Sequence, residues 1–131
     1  MSKEMKAYKK MHAQHRKELI ALAKEDREWD YDYLHDIVMT KIKHMYEYYV
    51  AGNNVWQDDA TKNPIVAELK HVLDLEAERR EIWGEYYNFD DDEEESDQEI
   101  IDRVNSYNER EERLYRDIYE YIGTHMLGWL D

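Results

Sequence analysis

The chain has 131 residues, 38% of them charged, with a net charge of −14, 4 Gly, 1 Pro and no cysteine. That length suits one domain, the lack of cysteine excludes disulfides and thiolate chemistry, and so few turn residues favour long helices over many short strands. Aromatic residues make up 13%, including 12 Tyr and 4 Trp, which is too rich for a disordered chain.

The first predicted helix covers residues 3–25. Met1, Met5, Tyr8, His12, His15, Leu19 and Leu22 recur at spacings of three and four, which places them on one narrow stripe. Residues 1–24 hold 7 Lys/Arg against 2 Asp/Glu, a balance of +5, while the remainder holds 11 against 30, a balance of −19. A basic segment, 1–25, is therefore expected to dock loosely beside an acidic helical domain, 26–131. The N-terminus has positive charge but no apolar core, so it is not expected to be a secretory signal.

The second helix is predicted over 30–51, with Asp30 as N-cap and the run Gly-Asn-Asn at 52–54 as its stop. Leu34, Ile37, Val38, Ile42, Met45, Tyr48 and Tyr49 share its expected inner face, and Tyr31 and Trp29 are expected to extend that face at its entry. Lys41 falls within that face, whereas Tyr33, His35 and Tyr46 fall outside it.

The third helix is predicted to begin near Asn63, with Pro64 in its first position and Gly84 at its end. Its face runs through Ile65, Leu69, Val72, Leu73 and Trp83, and is interrupted by Glu68, Glu76, Arg79 and Arg80. Residues 90–97 place seven carboxylates around one serine, and such a run repels itself into a solvated loop. Ser96 or Asp97 caps a fourth helix over 98–122, lined by Ile100, Ile101, Val104, Tyr107, Leu114, Tyr115, Ile118, Tyr119 and Ile122, with Glu111 inside the face and Gly123 closing it. The remaining tail is expected to fold back through Met126, Leu127 and Trp129. These elements predict an all-α fold, a four-helix antiparallel bundle or related helical array with an acidic loop before the last helix.

Charges within apolar faces need partners, because an unpaired buried charge costs several kcal/mol. Lys41 is expected to pair with Glu111 or Glu76, and Arg79 or Arg80 with the remaining carboxylates. A rival reading of the same polar groups is a metal site. Glu68 and His71 form a Glu-x-x-His element, and His12 and His15 lie three apart on the inner stripe, so these four could supply N and O ligands. Bundles with two bridged metals use two Glu-x-x-His elements, however, and only one is present; Asp32 to His35 has the spacing but faces away. No metal or other cofactor is expected.

No phosphate-binding glycine loop, nucleophile elbow or zinc-protease helix occurs in the sequence, so an enzyme is the minority expectation. Tyr33, Tyr46, Tyr86 and Tyr87 are instead candidates for a binding surface, since tyrosine anchors many interfaces. An acidic body repels nucleic acid and anionic membranes and attracts a basic protein. A nucleic-acid mimic is an alternative, and the basic first helix of one copy lying on the acidic body of another would give a homo-oligomer.

The stretch from Asp26 to Leu34, the lysine and methionine steps from Lys41 to Met45, and the ending from Gly128 to Asp131 together resemble an uncharacterised family of small acidic helical proteins encoded by tailed bacteriophages. The family's second tryptophan in that ending is replaced by Leu130. The resemblance implies an accessory protein in the bacterial cytoplasm and transfers no catalytic residue.

Overall fold

A computed structural model describes residues 2–51, 59–87 and 95–129, with backbone alone for 59–61, 86 and 87. The chain is all-α: α1 (Lys3–Ala23), α2 (Tyr31–Val50), α3 (Asp59–Tyr87) and α4 (Asp97–His125), followed by a short 3-10 turn, Met126–Gly128. No strand occurs among the described residues. No helix among them is long and apolar enough to cross a membrane.

The helix starts follow from local chemistry. Ser2 caps α1 by accepting from the Met5 N–H, and Asp30 caps α2 by accepting from the Asp32 N–H at 2.8 Å. Ser96 caps α4 by accepting from Glu99 N–H at 3.2 Å, while Asp97 and Glu99 place negative charge in the first turn, where the helix dipole favours it. The expected ends fare less well. Neither Gly84 nor Gly123 stops its helix, since α3 continues to Tyr87 and α4 to His125. Both are exposed helical positions with nothing within 4 Å of an added Cβ, so neither marks a turn. Pro64 lies inside α3 rather than in its first position. The acidic run from 90 to 94 and the glycine stop at 52–54 lie outside the described residues.

The chain divides into two compact units, and the division falls within α3 after Leu73. The first comprises residues 1–73 and 129–131, the second 74–128. The first helix, expected to dock loosely over 1–25, belongs to the same unit as α2. The two run antiparallel, because Tyr8 meets Tyr48 while Glu18 meets His44. Tyr33, Met39, Ile42, Tyr49, Ile65, Leu69, Val72 and Trp129 are the buried apolar residues of this unit.

In the second unit the rear of α3 and α4 also run antiparallel, as Arg79 meets Tyr115 and Glu85 meets Arg110. Its buried apolar residues are Ile82, Leu114 and Ile118. The buried row of α3 runs 65, 69, 72, 76, 79 and 82. Ile82 therefore takes the inner place predicted for Trp83, which is exposed. Ile100, Ile101 and Tyr119, expected on the inner face of α4, are also exposed. Of the three tail residues expected to fold back, only Trp129 does so; its indole N–H donates to Glu68 at 2.8 Å, while Met126 and Leu127 are exposed.

Candidate functional site

The inner row of α2 passes through His35, Met39, Ile42 and Tyr49; Ile42 and Tyr49 are inside as expected, while the row as a whole is turned by about one residue toward His35 and Met39. One residue is 100°, enough to exchange inside and outside. Tyr33 and His35, expected to face away, are buried, and Leu34, expected inside, is exposed. Lys41, expected to be a buried ion, is exposed.

The flank that α2 turns toward α1 carries the most ordered polar arrangement of the first unit. The imidazole rings of His15 and His44 stack with centroids 3.9 Å apart and planes 11° from parallel. His15 Nε2–H donates to Glu47 Oε2 at 2.7 Å, and His44 Nε2–H donates to Glu18 Oε2 at 2.6 Å. A carboxylate only accepts, so each Nε2 carries the proton of its bond.

The arrangement is reciprocal. Each helix carries a His-x-x-Glu element, His15 to Glu18 on α1 and His44 to Glu47 on α2. A spacing of three puts both side chains on one helix face. Antiparallel packing then sets each histidine opposite the other helix's glutamate. The hydrogen bond from His44 holds the Glu18 carboxyl below the ordinary glutamate range; burial opposes this, and Gln14 and Lys43 assist it. The repeated element was visible in the sequence, but its significance depends on the two copies facing each other.

The four residues of the rival metal reading, His12, His15, Glu68 and His71, are not brought together into a ligand set. Among the described residues, no three His, Asp or Glu side chains are gathered to hold a metal ion. His15 is committed to Glu47 and to the ring of His44, while His12 is exposed and stacks on Tyr8 with centroids 5.7 Å apart. His71 is exposed, and Glu68 accepts from Trp129.

In the second unit, the expected buried charges are resolved within one helix. Glu76 and Arg79 are 5% and 8% exposed and pair directly one turn apart. Burial opposes the charge on Arg79, but Glu76, Tyr115 and Glu111 outweigh it and raise the guanidinium's pKa. Its guanidinium carbon lies 4.8 Å from the centre of the Tyr115 ring, within cation–π range. Arg80 is exposed, with Nε 3.9 Å from Glu76, and Glu111 is half-buried.

The tyrosines proposed as a binding surface are differently placed. Tyr33 is buried, with Arg27 5.8 Å above its ring; desolvation, then Asp26 and Glu25, push its hydroxyl pKa up. Tyr46 is half-buried, and the side chains of Tyr86 and Tyr87 lie outside the described residues. Trp29 and Tyr31, expected to extend the inner face at the entry of α2, are instead exposed, at 84% and 65%, as is Leu34 at 62%. The sequence signal for this cluster was the alternation of aromatic and acidic residues around the Asp30 cap. Glu25, Asp26, Glu28 and Asp32 in the same stretch are exposed.

No family model, curated protein or solved structure matches the chain.

Proposed function

We propose that this is a non-enzymatic protein-binding accessory module, encoded by a tailed phage and acting in the bacterial cytoplasm on a basic host or phage protein. The observation that carries the reading is the exposure of Trp29, Tyr31 and Leu34 at the start of α2. Large apolar side chains left in water favour burial by association, and aromatic anchors supply much of the energy of protein interfaces. The surrounding carboxylates select a partner bearing lysine or arginine and speed its encounter.

A nucleic-acid mimic draws support from the net charge of −14. Against it, several acids of the second unit are already neutralised: Glu85 pairs with Arg110 at 2.8 Å, Glu95 with Arg103 at 3.2 Å and Glu112 with Arg116 at 2.6 Å. The protein-binding reading is tested by affinity purification from infected cells with wild type and a Trp29→Ala/Tyr31→Ala variant. A basic partner retained by wild type and lost by the variant supports it. Equal retention of every partner by both, or displacement of DNA from the partner by each, overturns it.

A further inference from the structure

The α1–α2 pair carries a second feature, separate from the Trp29 cluster. An open groove of about 340 Å³ lies along the hairpin, with His15 and His44 in its wall. That volume falls at the lower end of the range of small-molecule sites.

Its rings are coupled to one another. His12 stacks on Tyr8, Tyr8 meets Tyr48 edge-on at 5.9 Å, and Tyr48 meets Tyr49 edge-on at 5.2 Å. Met11 and Met45 complete an apolar lining. Such a wall offers ring faces, ring edges and polarizable sulfur to a flat guest.

Lys41 is the one formally charged side chain in the described lining of the groove. Among its described lining residues there is no carboxylate, although the chain has 32, and the exposed Lys41 lines it, as does His12. The two glutamates nearest the histidines are engaged through the Nε2 bonds. Acids more than about 8 Å away are screened at physiological salt, and the carboxylates of Glu18 and Glu47 are turned onto the histidines, so Lys41 is the charge that an entering group meets in the groove itself. This explains Lys41 better than a buried ion pair does: its charge is exposed at the mouth of an aromatic groove.

We propose that this groove binds a small aromatic anion, a single ring bearing a carboxylate or a phosphate. The ring lies against Tyr8 and Tyr48, and the acidic group meets Lys41, with His12 as a second donor. An ammonium–anion contact of this kind is charge-assisted and stronger than a neutral hydrogen bond.

The test is a set of amide and side-chain NMR titrations of the full chain. The probes are 4-hydroxybenzoate and phenyl phosphate, with p-cresol, acetate and inorganic phosphate as controls. The expected result is saturable shifts confined to groove residues for at least one aromatic anion, with the two acids ranking the preferred anionic group. Acetate and phosphate bind more weakly for want of the ring, and p-cresol for want of the charge. Lys41→Met lowers affinity for the aromatic anion about ten-fold, leaves the p-cresol affinity and the thermal unfolding midpoint unchanged, and His12→Ala has a smaller effect. Absence of groove shifts with both aromatic anions overturns the proposal. So does equal binding of acetate or phosphate, undiminished binding by Lys41→Met, or shifts scattered over the outer lysines of α1.

Discussion

The two units bury polar groups in opposite ways. In the first, the hydrogen bonds of two buried histidines cross between helices: His15 reaches Glu47 and His44 reaches Glu18, around one stacked pair of rings. In the second, Glu76 and Arg79 satisfy each other on a single helix, and Tyr115 of α4 supplies a ring rather than a countercharge. The glutamates of the first unit are part-exposed, at 36% and 39% of their side-chain surface, whereas both members of the second pair are within 10%. A pair within one helix is formed as soon as the helix is, so it adds little to the choice of neighbour. A pair across helices depends on alignment, and two reciprocal pairs fix the register of α1 on α2.

The contrast in burial sets the order of expected mutational effects. Arg79→Met removes the buried partner of Glu76 inside the second unit, leaving the exposed Arg80 at 3.9 Å, and is expected to cost about 3–5 kcal/mol in urea unfolding, as breaking a buried pair does. Replacing both, as Glu76→Leu with Arg79→Met, recovers most of that loss, since an apolar pair of similar volume needs no countercharge. A single-variant loss under about 1 kcal/mol would place the pair among surface-like contacts and erase the distinction between the units.

His44→Ala is the corresponding change in the first unit, with an expected loss of about 2–3 kcal/mol. His44 is 4% exposed, so its removal leaves a void, while the freed Glu18 retains access to water. Its Nδ1 is buried without a hydrogen-bond partner among the described residues, so one of its two nitrogens contributes no bond to be lost. A double-mutant cycle of His15→Ala with His44→Ala should return a coupling of about 1 kcal/mol from the stacked rings and their crossed bonds. Zero coupling would mean that the register is set elsewhere.

A smaller effect separates the units by pH. The Glu18 carboxyl has its folded pKa depressed, first by the hydrogen bond from His44. It therefore adds stability above its unfolded pKa, and that contribution is lost as pH falls through the folded value. Thermal midpoints of wild type should fall more steeply than those of Glu18→Gln between about pH 5 and pH 3. Glu85 is depressed likewise by Arg110 but lies at the surface, so Glu85→Gln should flatten the profile less. The smallest effect is expected at Lys41: as an exposed side chain, its replacement by methionine should change stability by no more than about 0.5 kcal/mol. A larger loss would restore it as an internal ion.

Much of the fold was legible because its causes are local. Asp30 and Ser96 cap their helices through bonds to N–H groups two and three residues away, and such bonds form whatever the rest of the chain does. The buried Glu76–Arg79 pair was legible in outline for the same reason, since i and i+3 share a face on any helix. The two glycines misled because glycine permits a stop without requiring one. The aromatic candidates failed differently: Tyr33 and Trp29 differ little in composition or context, yet one is buried and the other almost fully exposed.

The sequence by itself determined that the chain is helical, where α2 and α4 begin, and that charge would be buried along α3. The tertiary structure alone decided how far each helix is rotated about its axis. On α2, His35 is inside and Lys41 at the surface; on α3 the expected Ile65, Leu69 and Val72 are buried, but near its end Ile82 replaces Trp83. The physical reason is that a helix bearing apolar residues on more than half its circumference has several nearly equal ways to face inward. Contacts with a neighbour select among them, here the His15–Glu47 and His44–Glu18 bonds, and those contacts join residues 26 and 32 positions apart.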